Sequence, residues 1–164
     1  MQLVILSDTH IPGRTTEIPA WVREHVVAAD HVIHAGDFDS AEGLATVREL
    51  ADGDLTAVAG NTDPPELDLP PVATLSVEGV TFVVTHGDGA RLGYEERVAA
   101  VVREAAGPDA IGVAGHTHDP ADEVVDGVRL LNPGSATGAR PASEASFLAV
   151  SVSDGDVDVT LHRE

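Results

Sequence analysis

The sequence predicts an α/β protein organised as a four-layer α/β/β/α sandwich of two mixed sheets. In the first half of the chain, apolar runs typical of buried strands alternate with segments of helical spacing, which indicates a β-α-β-α-β unit. In the last third, β-branched runs are separated by Asp126-Gly127 and Asp154-Gly155, dipeptides that favour tight hairpin turns. The chain has 164 residues, 43% of them hydrophobic, and we expect residues 1–164 to form a single domain.

The first half supplies three strands and two helices. Residues 3–6 are a continuous apolar run, which predicts a strand buried on both faces. Pro19 marks the first turn of a helix whose apolar residues have helical spacing: Trp21, Val22, Val26 and Val27. Residues 31–35 and 55–59 predict the second and third strands. Between them, Ser40 is a good N-cap for an amphipathic helix that we expect to end near Ala51.

The second half begins with an irregular segment. Residues 64–71 contain four prolines, but a strand pattern resumes directly afterwards, so this segment is not a domain linker. Residues 74–77 and 81–85, joined by Glu78-Gly79, predict a hairpin. We expect a third helix over residues 94–106 and another strand over residues 111–114.

The charge balance limits the partners that this protein can have. There are 28 acidic and 9 basic residues, all nine of them arginine, for a net charge of −19. Such a surface repels phosphate backbones and anionic membranes, so we expect neither a large nucleic-acid surface nor membrane association. The composition resembles cytoplasmic proteins of salt-accumulating archaea; an acidic mesophilic protein is the alternative. With no membrane-length apolar run or cleavage signal, we expect a soluble, cytoplasmic protein.

Five short polar motifs each follow an apolar run. They are Asp8-Thr9-His10, Gly36-Asp37, Gly60-Asn61, His86-Gly87 and Gly115-His116-Thr117-His118. Singly, most of them are equally compatible with ordinary turns. The last is the strongest, because two imidazoles two residues apart at a strand end have little structural reason to occur together. Together the motifs supply seven side chains that suit two metal ions sharing one ligand: Asp8, His10, Asp37, Asn61, His86, His116 and His118.

The residue types also restrict the metal. The sequence has no cysteine, which excludes disulfides and thiolate ligands, so any ion is held by imidazole, carboxylate, amide or backbone oxygen. These ligands favour manganese, iron, nickel, magnesium or catalytic zinc.

The five motifs, in this order, resemble those of the calcineurin-like metallophosphoesterases. Two further features belong to the resemblance: Asp63 lies two residues after Asn61, and Asn-Pro-Gly-Ser occupies residues 132–135. The small, single-domain YfcE-like phosphodiesterase branch is the most similar. The resemblance implies the calcineurin-like metallophosphoesterase fold and two divalent ions, Mn²⁺ first, with Ni²⁺, Fe²⁺, Zn²⁺ or Mg²⁺ as alternatives. It implies that Asp8, His10, Asp37 and His118 hold one ion, and that Asp37, Asn61, His86 and His116 hold the other, with Asp37 as the bridge.

The same resemblance implies a phosphodiesterase of small phosphoesters, in which a metal-bridging hydroxide attacks phosphorus in line. Asp37, Asn61 and Asp63 are then the catalytic candidates. Many relatives have a histidine after the asparagine as proton donor, whereas this chain has Thr62, which is not a general acid at neutral pH. Asp63 is either the donor or a carboxylate that orients a ligand histidine.

Other roles and functions remain open at this point. Arg14 and Arg140 either approach the substrate phosphate or are ordinary surface arginines. His34 is expected to be a hydrogen-bonded strand histidine rather than a ligand. A non-catalytic scaffold resembling a retromer subunit, a phosphomonoesterase, and a binuclear hydrolase of another bond are the alternative functions. A homo-oligomer is compatible with all of them.

Overall fold

The computed structural model describes residues 1–164 as two five-stranded sheets and three α-helices. The helices are α1 (Ala20–Ala28), α2 (Ala41–Leu50) and α3 (Tyr94–Ala106). The strands of the first half are β1 (Gln2–Leu6), β2 (His31–His34), β3 (Leu55–Ala57), β4 (Val72–Val77) and β5 (Val80–Thr85). Those of the second half are β6 (Ile111–Val113), β7 (Ala121–Val125), β8 (Val128–Asn132), β9 (Ser146–Ser153) and β10 (Asp156–Arg163).

Both sheets are mixed. The first has the order β10-β9-β1-β2-β3, with β1, β2 and β3 parallel and the last two strands of the chain antiparallel to their neighbours. The second has the order β4-β5-β6-β8-β7, with β5, β6 and β8 parallel and an antiparallel strand at each edge. The carboxyl ends of the parallel strands are where α/β folds bind ligands.

The apolar residues divide among three core layers, which give the four-layer sandwich. Leu3 and Ile5 of β1 lie in the core between the two sheets, whereas Val4 and Leu6 face α1 and α2 on the other side. A third cluster lies between the second sheet and α3. Because successive strand residues point to opposite faces, a strand covered on both sides is apolar at every position, as residues 3–6 are.

The predicted elements are observed with small changes at their ends. Ser40 caps α2, since its hydroxyl accepts a 2.9 Å hydrogen bond from the amide of Gly43. The predicted third strand is two residues too long at its carboxyl end: β3 ends at Ala57, and the amide of Ala59 instead donates to the carbonyl of Pro70. The proline-rich segment therefore turns back along the end of β3, and a short 3-10 turn (Pro65–Leu67) is its only helical structure.

The three helices are too short and too polar to cross a membrane. Each of the five polar motifs begins within four residues of the carboxyl end of a strand: β1, β2, β3, β5 or β6. This topology brings motifs from distant parts of the sequence to one end of the two packed sheets.

Candidate metal centre

The structure brings the side chains of all seven predicted ligands into one cluster. Five of them are buried, namely Asp8, His10, Asp37, His86 and His118. His116 is half-buried and Asn61 is exposed, so these two form the open side of the cluster. Carboxylates and histidines buried together in this number require hydrogen-bonding partners or a metal ion.

One half of the cluster surrounds the carboxylate of Asp8. Its Oδ1 lies 3.2 Å from Nε2 of His118 and 3.6 Å from Nε2 of His10. The two Nε2 atoms are 3.3 Å apart. The other oxygen, Oδ2, accepts hydrogen bonds from the hydroxyl of Ser7 (2.6 Å) and the amide of His116 (3.0 Å). Only Oδ1 is therefore directed at the rings.

The other half surrounds Asp37 in the same way. Oδ1 of Asp37 accepts a 3.0 Å hydrogen bond from the amide of Thr62, and Oδ2 faces the rings. Oδ2 lies 3.2 Å from Nε2 of His86 and 3.5 Å from Nε2 of His10. Oδ1 of Asn61 lies 3.0 Å both from Nε2 of His86 and from Nδ1 of His116. Asp37 thus contacts a histidine from each half.

Each ring is held by the nitrogen that faces away from the cluster. Nδ1 of His86 donates to the carbonyl of Ala35 (2.7 Å), and Nδ1 of His118 donates to that of Ala139 (2.8 Å). Nε2 of His116 donates to the carbonyl of Gly89 at 3.0 Å. A carbonyl only accepts hydrogen bonds, so the outer nitrogen of each neutral ring carries the proton and the inner nitrogen presents a lone pair.

The cluster therefore consists of acceptors. Oδ1 of Asp8 is buried and has no hydrogen-bond donor. No arginine forms a salt bridge with Asp8 or Asp37, whose only basic neighbours are histidines. Two groups of three ligand atoms lie within 4.8 Å of one another: Asp8, His10 and His118, and Asp8, Asp37 and His86. Converging oxygen and imidazole lone pairs fit divalent cations, which makes this residue set suitable for metal binding.

Without a cation, the same geometry favours a proton. Burial lowers the pKa of His86, but the adjacent Asp37 and the charge of Asp8 outweigh burial and raise it to about 9. Burial likewise opposes ionisation of Asp8, but the facing rings of His10 and His118, which donate to it when protonated, hold its pKa well below the usual range. Metal binding at this site must therefore displace protons.

The backbone is also unusual at this site. Six of its non-glycine residues have positive φ: Asp8 (54°), His10 (47°), Asp37 (65°), Asp39 (76°), His116 (71°) and His118 (60°). The other five such residues in the chain lie at helix ends or turns: Asp52, Asp68, Glu78, Asp126 and Asp154. Left-handed conformations of non-glycine residues are uncommon and concentrate at functional sites. A strained backbone here is consistent with selection for ligand geometry.

Two glycines allow the chain to pack closely around the carboxylates. A Cβ atom on Gly60 would collide with Oδ1 of Asp37, and one on Gly115 would collide with Oγ of Ser7. These glycines precede Asn61 and His116, so they place two of the predicted ligands directly against the buried acids.

Comparison with known proteins identifies the family. The model of the calcineurin-like phosphoesterase superfamily domain matches residues 1–155. The chain belongs to the calcineurin-like phosphoesterase superfamily. A protein of Methanocaldococcus jannaschii with the name "Probable metallophosphoesterase" is 32% identical over 154 residues, which cover 94% of this chain and 77% of that protein. The superfamily is one of metal-dependent phosphoester hydrolases, and the candidate site has the histidine and aspartate groups to bind metal.

Solved structures of the same fold include a Vps29 and a protein described as a phosphodiesterase. A crystal structure of Vps29 from Entamoeba histolytica has a TM-score of 0.79 at 24% identity and covers 100% of this chain and 99% of that chain. A structure described as a novel archaeal phosphodiesterase has a TM-score of 0.73 at 20% identity and covers 99% of this chain and 100% of that chain. At these identities the likeness establishes the calcineurin-like fold alone.

Asp63 has a different environment from the one that sequence reasoning predicted. Its carboxylate contacts no histidine ring. Instead it accepts hydrogen bonds of 2.7–2.9 Å from four backbone amides, those of Asp37, Phe38, Asp39 and Gly60. These contacts contradict one of the two roles that the sequence left open for Asp63, that of orienting a ligand histidine. Instead, Asp63 fastens the loop that carries Asp37 to the loop that carries Asn61.

The carboxylate that does orient a histidine is Asp39. Its Oδ1 lies 2.8 Å from Nδ1 of His10 and also accepts a 2.6 Å hydrogen bond from the hydroxyl of Thr62. Sequence reasoning missed Asp39, although an acidic residue two positions after Asp37 was a signal for it. It also missed Tyr94, whose hydroxyl donates a 2.6 Å hydrogen bond to the carbonyl of Gly115, just before His116.

The remaining predicted residues have clear positions. His34 is a hydrogen-bonded strand histidine, as predicted: it contacts Thr9 (3.2 Å), accepts from the amide of Gly36 (3.1 Å) and stacks on Phe38. Arg14 and Arg140 are both exposed, and the guanidinium of Arg14 donates to the carbonyl of Arg140 at 2.5 Å. Because Arg140 follows Ala139, which anchors His118, both arginines lie beside the Asp8 half of the cluster.

Proposed function

We propose that this protein is a phosphodiesterase that uses two divalent metal ions. The observation that carries the proposal is the convergence of inner imidazole nitrogens and unpaired oxygens, from seven side chains, without an arginine among them. Membership of the calcineurin-like phosphoesterase superfamily supports phosphoesters as the substrates.

We assign the ligands as the sequence resemblance implied. Asp8, His10, Asp37 and His118 hold one ion, and Asp37, Asn61, His86 and His116 hold the other. The position of Asp37 supports its role as the bridge, because its Oδ2 faces both His10 and His86, which belong to different ions in this assignment. Ligands that are oxygen and nitrogen only suit Mn²⁺, with Ni²⁺, Fe²⁺, Zn²⁺ and Mg²⁺ as alternatives.

When bound, two divalent cations would lower the pKa of a coordinated water molecule and neutralise charge on the phosphoryl group. The protein's own residues would keep the cations in place. Asp8 and Asp37 each direct one oxygen inward, because hydrogen bonds from Ser7, His116 and Thr62 fix the other. Exposed Asn61 and half-buried His116 leave the cluster accessible to substrate on one side.

Neither Thr62 nor Asp63 is free to protonate the leaving group. The hydroxyl proton of Thr62 is donated to Asp39, and Asp63 accepts four amide hydrogen bonds. Without an acid at these two positions, the departing oxygen would leave as an anion or take its proton from water. Hydrolysis should depend strongly on the pKa of the leaving group, so aryl esters are the better substrates.

Electrostatics favour diesters over monoesters. A diester carries one negative charge near neutral pH, whereas a monoester carries about 1.5 to 2. The chain has a net charge of −19 and no lysine, and no arginine forms a salt bridge with Asp8 or Asp37. Repulsion by this protein is thus smaller for the singly charged substrate.

The test is a hydrolysis screen of the chelator-treated protein after addition of Mn²⁺, Ni²⁺, Zn²⁺ or Mg²⁺. The substrates are bis(p-nitrophenyl) phosphate, p-nitrophenyl phosphate and an alkyl monoester, at low and at molar KCl. We expect the aryl diester to be cleaved far faster than the alkyl monoester, with His86→Ala as the inactive control. Equal rates on the two esters would contradict the diester proposal. Metal binding without hydrolysis of any ester would favour a scaffold instead.

A further inference from the structure

We infer that Asp39 is the positioning residue for His10, and that the hydroxyl of Thr62 holds Asp39 in place. The inference rests on the proposed metal centre for its functional meaning, because orienting His10 matters most if its ring binds an ion. The contacts themselves do not depend on a metal ion. Oδ1 of Asp39 contacts both Nδ1 of His10 and the hydroxyl of Thr62, and the three residues lie in three different loops.

The anchor of His10 differs from those of the other three rings. His86, His116 and His118 each donate to a backbone carbonyl, whereas His10 donates to the carboxylate of Asp39 at 2.8 Å. A hydrogen bond to an ionised acceptor is stronger than one to a neutral carbonyl. A carboxylate behind a ligand imidazole also raises its basicity and fixes its tautomer, which strengthens its bond to a metal ion.

The carboxylate of Asp39 is restrained from several sides. Thr62 donates a 2.6 Å hydrogen bond to Oδ1, the same oxygen that contacts His10. The backbone amide of Asp39 donates to Asp63 at 2.9 Å. A Cβ atom on Gly13 would collide with Oδ2, so this oxygen lies tightly against the backbone of the loop after His10. The contacts of Oδ1 and Oδ2 restrain the orientation of the carboxylate.

Thr62 thereby acquires a role of its own. Its hydroxyl has one proton, and donation to Asp39 uses that proton. Residue 62 therefore acts through Asp39 and His10 on the metal centre, not on the leaving group. Its side chain connects the loop of Asn61 to the opposite half of the cluster.

The experiment compares Asp39→Ala, Thr62→Val and Thr62→Ser with the wild type. Thr62→Val keeps the shape and removes the hydroxyl, and Thr62→Ser keeps the hydroxyl. Asp119→Asn is the matched control, since Asp119 is an exposed carboxylate next to His118 with no side-chain contact to a histidine. The first readout is the tautomer of each histidine in the metal-free protein, from long-range ¹H–¹⁵N NMR spectra recorded at a pH where the rings are neutral. The second is the affinity for Mn²⁺, from calorimetric titration.

In Asp39→Ala, we expect His10 to shift from the Nδ1-protonated to the Nε2-protonated tautomer. His86 and His118, which backbone carbonyls hold, should not change and serve as internal controls. The affinity for Mn²⁺ should fall about 10- to 100-fold in this variant, and about 5-fold in Thr62→Val. Thr62→Ser and Asp119→Asn should behave like the wild type.

An unchanged His10 tautomer in Asp39→Ala, with wild-type affinity for Mn²⁺, would overturn the inference. So would equal losses in Thr62→Val and Thr62→Ser, because the hydroxyl would then be irrelevant. Failure of the proposed function is a distinct result. In that case the wild type itself binds no Mn²⁺, while the tautomer of His10 still responds to Asp39.

Discussion

Nε2 of His86 lies 3.2 Å from Oδ2 of Asp37, and Nδ1 of the same ring donates to the carbonyl of Ala35. His86 follows a strand of the second sheet, whereas Ala35 and Asp37 follow a strand of the first. One imidazole therefore joins the two sheets at the candidate metal centre. The Asp37 loop is therefore in direct contact with a predicted ligand that follows a strand of the opposite sheet.

Replacement of Asp37 by Ala should lower turnover of an aryl diester by orders of magnitude and weaken the binding of both ions. The reason is that a bridging carboxylate contributes a ligand and a compensating charge to each ion. Metal content after equilibrium dialysis and kcat in excess Mn²⁺ are the measurements, with about two ions per chain expected for the wild type. Near wild-type hydrolysis by Asp37→Ala, or one ion in the wild type under excess metal, would refute the assignment.

Replacement of Asp63 by Ala should destabilise the protein by several kcal/mol and reduce the hydrolysis of all esters alike. Four backbone amides lose their acceptor, and unsatisfied buried amides are costly. Urea unfolding of the metal-free variant and a comparison of esters with different leaving groups test this expectation. If Asp63 were the proton donor, the losses would be confined to poor leaving groups and stability would be unchanged.

The melting temperature should climb steeply between millimolar and molar KCl. The 28 acidic residues face only nine arginines. Only three arginines form salt bridges with side-chain carboxylates, at Glu95, Asp122 and Glu144. Most of the carboxylate charge is therefore unpaired, and salt screens its repulsion. Thermal unfolding over a KCl series measures the effect, with sucrose at matched osmolality as the control. A flat or falling curve would favour the mesophilic alternative.

The metal-free protein should lose stability in mild acid through His34. Burial lowers the pKa of this fully buried ring to about 3, from 6.5 in the unfolded chain. Between these two values the unfolded state binds the proton and the folded state does not, so stability is complete above pH 6.5 and falls as the pH decreases. From pH 6.5 to 4.5, the free energy of unfolding should fall by about 2–3 kcal/mol more in the wild type than in His34→Gln.

Urea unfolding of the two proteins at matched pH values tests this expectation. Carboxylates titrate in the same range, but they are common to both proteins and cancel in the comparison. Equal pH dependence of the wild type and His34→Gln would show that the ring is solvated or protonated in the folded state.

Much of the fold was predictable because the apolar patterns here are simple. The continuous apolar run at residues 3–6 identified a strand with cores on both sides, and Ser40 identified the start of α2. The predicted third strand was too long because Ala59 is apolar, yet its amide pairs with the carbonyl of Pro70. The hydrogen-bonding partner of an amide is a tertiary property that local composition does not encode.

By itself, the sequence determined which side chains form the cluster, because each candidate ligand lies within a few residues of the end of an apolar strand and parallel strands bring such ends together. Only the tertiary structure decided what the neighbouring acids do. Asp39 and Asp63 have the same side chain and similar proximity to a predicted ligand, yet one orients His10 and the other binds four backbone amides. The difference arises from φ angles and loop packing within a few ångströms, and hydrogen bonds depend steeply on distance and direction.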